Sequence, residues 1–161
     1  MKLYIYQGLD NEEVPKDVNH VIVDDSVTVI KKNAFEGCKH LVSVIMGNNV
    51  RRIEEQAFNG CYALRFIRLS NMLEYIGEWA FFDCVSLEAL FLPSTVKSIE
   101  YMAFLYCESL RLLILPSDID LNSIGKIIIP KTNIQQIAED AGVPYEWNDD
   151  LSNAVEINVT W

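Results

Sequence analysis

The stretch Ala34-Phe35-Glu36-Gly37-Cys38-Lys39-His40-Leu41 returns as Ala57-Phe58-Asn59-Gly60-Cys61-Tyr62-Ala63-Leu64. It returns again as Ala80-Phe81-Phe82-Asp83-Cys84-Val85-Ser86-Leu87, and as Ala103-Phe104-Leu105-Tyr106-Cys107-Glu108-Ser109-Leu110. Each copy follows the last by 23 residues, so alanine, phenylalanine, cysteine and leucine hold fixed places in one unit. A constant period in the twenties with an apolar skeleton predicts a solenoid. One such unit cannot bury its own apolar face, and stacking closes a shared core.

Working outward from the alanines, the positions ten and twelve residues on are Val44 and Met46, Ile67 and Leu69, Leu90 and Leu92, Leu113 and Leu115. This alternation predicts a short strand with one face inward. Turns follow at Gly47-Asn48-Asn49, Ser70-Asn71, Pro93-Ser94 and Pro116-Ser117, residue types that favour turns through fixed φ or side-chain bonding to the backbone. Val50 and Ile53, Leu73 and Ile76, Val96 and Ile99 then make a second inward contact on the back of the coil. Val21, Val23, Val27 and Ile30 extend the pattern backward as a partial rung, and residues 1–17 read as an N-terminal cap. The repeats run over 18–130 and end on a last strand at Lys126-Ile127-Ile128-Ile129-Pro130. Beyond them Thr132-x-x-Gln135 is a capping box for a helix of roughly 133–141, which closes the open end of the core. The period-two run Val155, Ile157, Val159, Trp161 reads as a cap strand or the start of something further. The whole is one domain, 1–161.

Composition narrows the function. Half of the 161 residues are hydrophobic, and 13 basic against 23 acidic residues leave a net charge of -10. Proteins that bind nucleic acid gather Lys and Arg to displace counterions, so this balance argues against DNA, RNA or an anionic membrane surface. The opening Met1-Lys2-Leu3-Tyr4-Ile5-Tyr6 is broken by Gln7, Gly8 and Asp10 and lacks the apolar run of a signal peptide. A cytoplasmic protein is expected, or an extracellular one if the stretch belongs to a longer chain.

The four cysteines occupy one repeat position without a Cys-x-x-Cys pair, which predicts a ladder of buried free thiols rather than a metal site or disulfides. Cys38 and His40 are close in sequence, but the thiol should face inward and the imidazole lie in the next turn. Asp24-Asp25 and Asp149-Asp150 are acid pairs in turns, where adjacent carboxylates are solvated. No Gly-x-Gly-x-x-Gly or phosphate loop occurs. The expectation is a non-catalytic protein with no cofactor and no metal.

The unit Ala-Phe-x-x-Cys-x-x-Leu-x-x-φ-x-φ-Pro-x-x-φ-x-x-Ile, seen most fully in Ala80–Ile99, resembles the BspA-type leucine-rich repeat of bacterial surface proteins and of microbial eukaryotes such as diatoms. The resemblance implies a right-handed α/β solenoid of short parallel strands joined by short helical turns. It also implies a protein-binding role, and it carries over no catalytic residue. Gly47 and Ser70 depart from the family unit, standing where two rungs should have proline.

In the strands, positions nine and eleven after each alanine should point outward on the concave face. They are Ser43, Phe66, Ala89 and Leu112, and Ile45, Arg68, Phe91 and Ile114, with His20 and Ile22 from the partial rung. So apolar an outward stripe predicts a partner protein or extended peptide. Five or six rungs at about 4.8 Å by a strand of roughly 16 Å give a footprint of about 400 Å², half of a standard interface. Phe66, Arg68 and Phe91 form the expected centre, because aromatics and arginine dominate hot spots, with Arg68 in cation–π reach of Phe91. The stripe could instead meet a second copy of the chain, or be covered by the tail around Val155–Trp161. The alternative function is an adhesin or receptor ectodomain. Arg51, Arg52, Glu54, Glu55, Glu74, Glu78, Lys97 and Glu100, on the back, read as a solvated face of mixed sign.

Overall fold

The computed structural model describes residues 1–114. The expected last strand near 126–130, the helix near 133–141 and the tail 149–161 lie outside the described residues.

Two stacks of parallel strands enclose the apolar positions of the repeat. The front stack holds β1 (Leu3–Tyr6), β2 (His20–Val23), β4 (Ser43–Ile45), β6 (Phe66–Arg68), β8 (Ala89–Phe91) and β10 (Leu112–Ile114). The back stack holds the two-residue strands β3 (Val29–Ile30), β5 (Arg52–Ile53), β7 (Tyr75–Ile76) and β9 (Ser98–Ile99). Register repeats the sequence period: Val21 faces Val44, Val44 faces Ile67, and Leu90 faces Leu113. Ile30, Ile53, Ile76 and Ile99 line the back at the same step and are fully buried. The back sheet runs unbroken through its strands. In the front, β1-β2-β4-β6 form one sheet and β8-β10 another, with no hydrogen-bonded ladder between β6 and β8.

Residues 1–17 add a strand that the repeat does not forecast. β1 pairs with β2 at Leu3↔His20, a step of 17 rather than 23 residues, so alignment on the period passes over it. Its Tyr6 is buried and lies against Phe35, ring centroids 5.1 Å apart. The turn after β1 is held by the Glu12 carboxylate, which accepts from the Gln7 and Leu9 N–H groups and from the Tyr4 hydroxyl.

The expected helical turns do not form: among the described residues the chain has no helix. Two positions in every rung have positive φ. One precedes the alanine (Asn33, Gln56, Trp79, Met102) and the other precedes the cysteine (Gly37, Gly60, Asp83, Tyr106). Right-handed helix needs φ near −60°, so the Ala-Phe segment cannot continue as one. The compensation is visible in its hydrogen bonds. Asn33, Phe35 and Gly37 donate their N–H groups to the carbonyls of Glu55, Ala57 and Asn59 in the next rung, at 3.1, 2.8 and 2.7 Å. Gln56, Phe58 and Gly60 do the same to Glu78, Ala80 and Phe82. A helix would direct these donors along its own axis, whereas alternate αL kinks turn them along the stack. Left-handed backbone costs roughly 1–2 kcal/mol for a residue with a Cβ. Glycine removes that cost at 37 and 60, and the ladder offsets it at Gln56 and Trp79.

The main interior cluster contains the inward residues of both stacks, and a small second cluster groups Met102 and Leu105 with Trp79, Phe82, Tyr101 and Tyr106. Phe35, Phe58, Phe81 and Phe104 stack along it at centroid separations of 5.0, 5.2 and 5.7 Å, nearly parallel. The cysteines form the expected ladder of free, buried thiols. The Cys61, Cys84 and Cys107 thiols donate to the carbonyls of Phe35, Phe58 and Phe81, so the one polar atom in each side chain is satisfied.

The departures from proline at the front turns have local reasons. A Cβ at position 47 would lie 2.8 Å from the Asp25 carboxylate and 2.9 Å from its Cα, so the residue there must be glycine for the rungs to close. Asp25 then accepts from the Asn48 N–H and the Asn49 side-chain amide. Ser70 is buried, and its hydroxyl accepts from the Met72 N–H.

Candidate interaction surface

Side chains alternate along a strand, so each front strand puts its middle residue in the core and its flanking residues outside. β4, β6 and β8 have Val44, Ile67 and Leu90 buried, and the register stacks the flanking residues into two columns. One column is Leu3, His20, Ser43, Phe66, Ala89 and Leu112. The other is Ile5, Ile22, Ile45, Arg68, Phe91 and Ile114. Every residue expected to face outward does so. Phe66 and Phe91 remain 54 and 59% exposed, Leu112 and Ile114 are also exposed, and Ser43, Ile45 and Ala89 are half-buried.

Leu3 and Ile5 are additions that the repeat alignment missed. Both are more than half exposed, and they carry the apolar columns onto β1. The available signal was the alternation within Leu3-Tyr4-Ile5-Tyr6 itself.

The polar members of the columns behave differently from one another. His20 Nδ1 and Ser43 Oγ share a hydrogen bond of 2.8 Å, so that pair is satisfied within the column. Arg68 stands alone. The expected cation–π contact with Phe91 does not form. The cation–π contacts among the described residues are Arg52 over Tyr75, at 3.9 Å, and Lys39 over Tyr62, at 5.5 Å. Arg52 and Tyr75 sit on the laddered strands β5 and β7, whereas Arg68 and Phe91 lie on either side of the unladdered seam between β6 and β8.

Charges beside the two sheets pair along the period. On the back, Arg51 contacts Glu74 at 2.6 Å and Lys97 approaches the same carboxylate at 3.7 Å. Beside the front, Arg65 and Arg111 take one oxygen each of Glu88, at 2.7 and 2.9 Å. The mixed-sign surface expected from sequence is therefore ordered into cation–carboxylate–cation ladders. Their signal was a spacing of 23 between opposite charges.

The Cys38–His40 pair considered from sequence is not assembled. Cys38 is buried while His40 is exposed. Burial pushes the Cys107 thiol up to about 12 and the Cys84 thiol well above its ordinary value, so these groups stay protonated. Among the described residues, no group of three or more His, Cys, Asp and Glu side chains is placed to hold a metal ion. Nor is any described helix long and apolar enough to cross a membrane.

Parallel strands stacked at one 23-residue register around a phenylalanine spine define a leucine-rich-repeat solenoid. The model of the BspA type leucine rich repeat region matches residues 28–143 in six copies, and the chain belongs to that family. Among solved structures, a leucine rich repeat protein from T. pallidum is similar at 29% identity and TM-score 0.66, covering 77% of this chain and 56% of its own. A leucine-rich repeat protein from Bacteroides ovatus is similar at 25% identity and TM-score 0.54, over 74% of this chain and 32% of its own. A leucine rich cell surface protein from Faecalibacterium prausnitzii is similar at 26% identity and TM-score 0.50, over 70% of this chain and 37% of its own. This chain thus matches about half the length of the first neighbour and about a third of the others. No curated protein sequence matches it.

Proposed function

We propose that this chain is a non-catalytic protein-interaction module that binds a partner protein or extended peptide on its front sheet, the concave face of the solenoid. The observation that carries this reading is the pair of outward columns, apolar almost throughout, which run in register over β1-β2-β4-β6 and resume at the same repeat positions on β8-β10. Contiguous exposed apolar surface on a soluble fold is characteristic of an interaction site. Phe66, Arg68 and Phe91 are its centre, flanked by Ser43, Ile45, Ala89, Leu112 and Ile114.

A pull-down from source-cell lysate with wild type and Phe66→Ser/Phe91→Ser tests the reading, given equal circular dichroism and melting. A protein retained by wild type, released by the variant and bound again after purification supports it. Retention of the same proteins by both chains sinks it.

A second reading has one specific support. The F. prausnitzii neighbour is described as a cell surface protein. On that reading the same face serves an adhesin or receptor ectodomain, and the partner is extracellular. Fractionation of source cells separates the two: surface protease sensitivity favours the second, protection favours a cytoplasmic module.

A further inference from the structure

The described residues contain five arginines, and four have partners. Arg51 pairs with Glu74, Arg52 stacks on Tyr75, and Arg65 and Arg111 share Glu88. Arg68 is exposed, and its side chain makes no hydrogen bond, ion pair or ring contact among the described residues. It is also the single charged residue in the two outward columns of the front sheet. Ile45 is its register partner on β4, Phe66 lies on the same strand, and Phe91 holds the corresponding repeat position on β8, across the unladdered seam. The carboxylate beside this face, Glu88, already gives one oxygen to Arg65 and the other to Arg111.

A cation amid apolar side chains loses hydration when that surface is covered, and the loss is severe unless an anion replaces the water. A purely apolar ligand would therefore bury Arg68 unpaired. A ligand carrying a carboxylate would meet a planar guanidinium whose donors are all available.

Resting on the reading of the front sheet as the binding face, we infer that its occupant is a partner segment with apolar side chains and one carboxylate, the apolar groups on Phe66 and Phe91 and the carboxylate on Arg68. The charge selects among apolar segments. A basic segment is rejected, since it would place like charges together in a drying interface.

Selection of a random linear-peptide library on the full chain tests this, using wild type, Arg68→Gln, Arg68→Glu and Phe66→Ser/Phe91→Ser, each variant first shown to melt as wild type. Wild type should enrich peptides with Asp or Glu among apolar residues, and these should weaken on raising salt. Arg68→Gln should weaken them about tenfold or more. Arg68→Glu should instead enrich Lys or Arg. Peptides that need Phe66 and Phe91 but ignore Arg68 would overturn the carboxylate while leaving the binding face in place. Peptides indifferent to all three residues would overturn both. Failure to enrich any peptide, with a dimer that Arg68→Glu dissolves, would assign the site to a second copy and overturn the partner segment. Failure to enrich any peptide from a monomer counts against both.

Discussion

The front and back of this solenoid share rungs and register yet handle charge in opposite ways. On the back, Arg52 lies over Tyr75 one register step away, and Arg51 and Lys97 close on Glu74. On the front, Arg68 is also one repeat from an aromatic ring, Phe91, and leaves it untouched. The back strands are laddered without interruption, while the front ladder stops between β6 and β8. Repeat geometry brings partners into reach, and the placement of each side chain decides whether they meet, since Arg65 closes on Glu88 at 2.7 Å beside the same unladdered seam. The back pairs its arginines, while the front columns retain exposed rings and an arginine side chain with no partner among the described residues.

The largest expected effect lies in the interior that the two faces share. Phe81 is fully buried between Phe58 and Phe104, so Phe81→Ala should cost about 3–5 kcal/mol in denaturant unfolding. Phe91→Ala, on the front, should stay within about 0.5 kcal/mol of wild type. Equal losses at the two sites would mean that Phe91 is packed, and the contrast of faces would fail.

A smaller effect concerns the buried thiols. In the folded chain Cys107 titrates at about 12 against an ordinary 9.0, chiefly because burial disfavours the thiolate. Cys84 is shifted the same way. The unfolded chain gives up these protons first, so their contribution to stability is whole below about pH 9 and drains as pH rises toward 12. Urea midpoints measured across this range should fall more steeply for wild type than for Cys84→Ala/Cys107→Ala. Parallel pH curves would show that the ladder is not linked to folding.

The smallest effect is on the back face. Glu74→Gln removes the anion between Arg51 and Lys97 and should cost less than about 1 kcal/mol at low salt, since the pairs are exposed. At molar salt the difference should vanish. A cost of several kcal/mol, or one insensitive to salt, would show that the back ladder is structural rather than a finishing of surface charge.

Much of this architecture is legible in the repeat. Phe35, Phe58, Phe81 and Phe104 recur at one spacing because they occupy one site in successive rungs, and the structure stacks them. The outward columns followed from the same count. Leu3 and Ile5 escaped it because β1 joins at a different step. The helical turns were expected from the family resemblance, and the αL residues overruled them. Gly37 and Gly60 at one repeat position hinted at this, but Asp83 and Tyr106 at the same position concealed it.

By itself the sequence determined the period, the inward residues and the absence of charge from the core, because apolar burial acts on residue type and spacing alone. Only the tertiary structure decided which side chains at the free positions find each other. Whether an arginine stacks, pairs or stands alone depends on distances of a few ångströms across rungs, and these are set by backbone hydrogen bonds between residues far apart in the chain. Arg52 and Tyr75 meet across the ladder between β5 and β7, whereas Arg68 and Phe91 stand apart across the unladdered seam between β6 and β8, a difference that the shared 23-residue spacing does not carry.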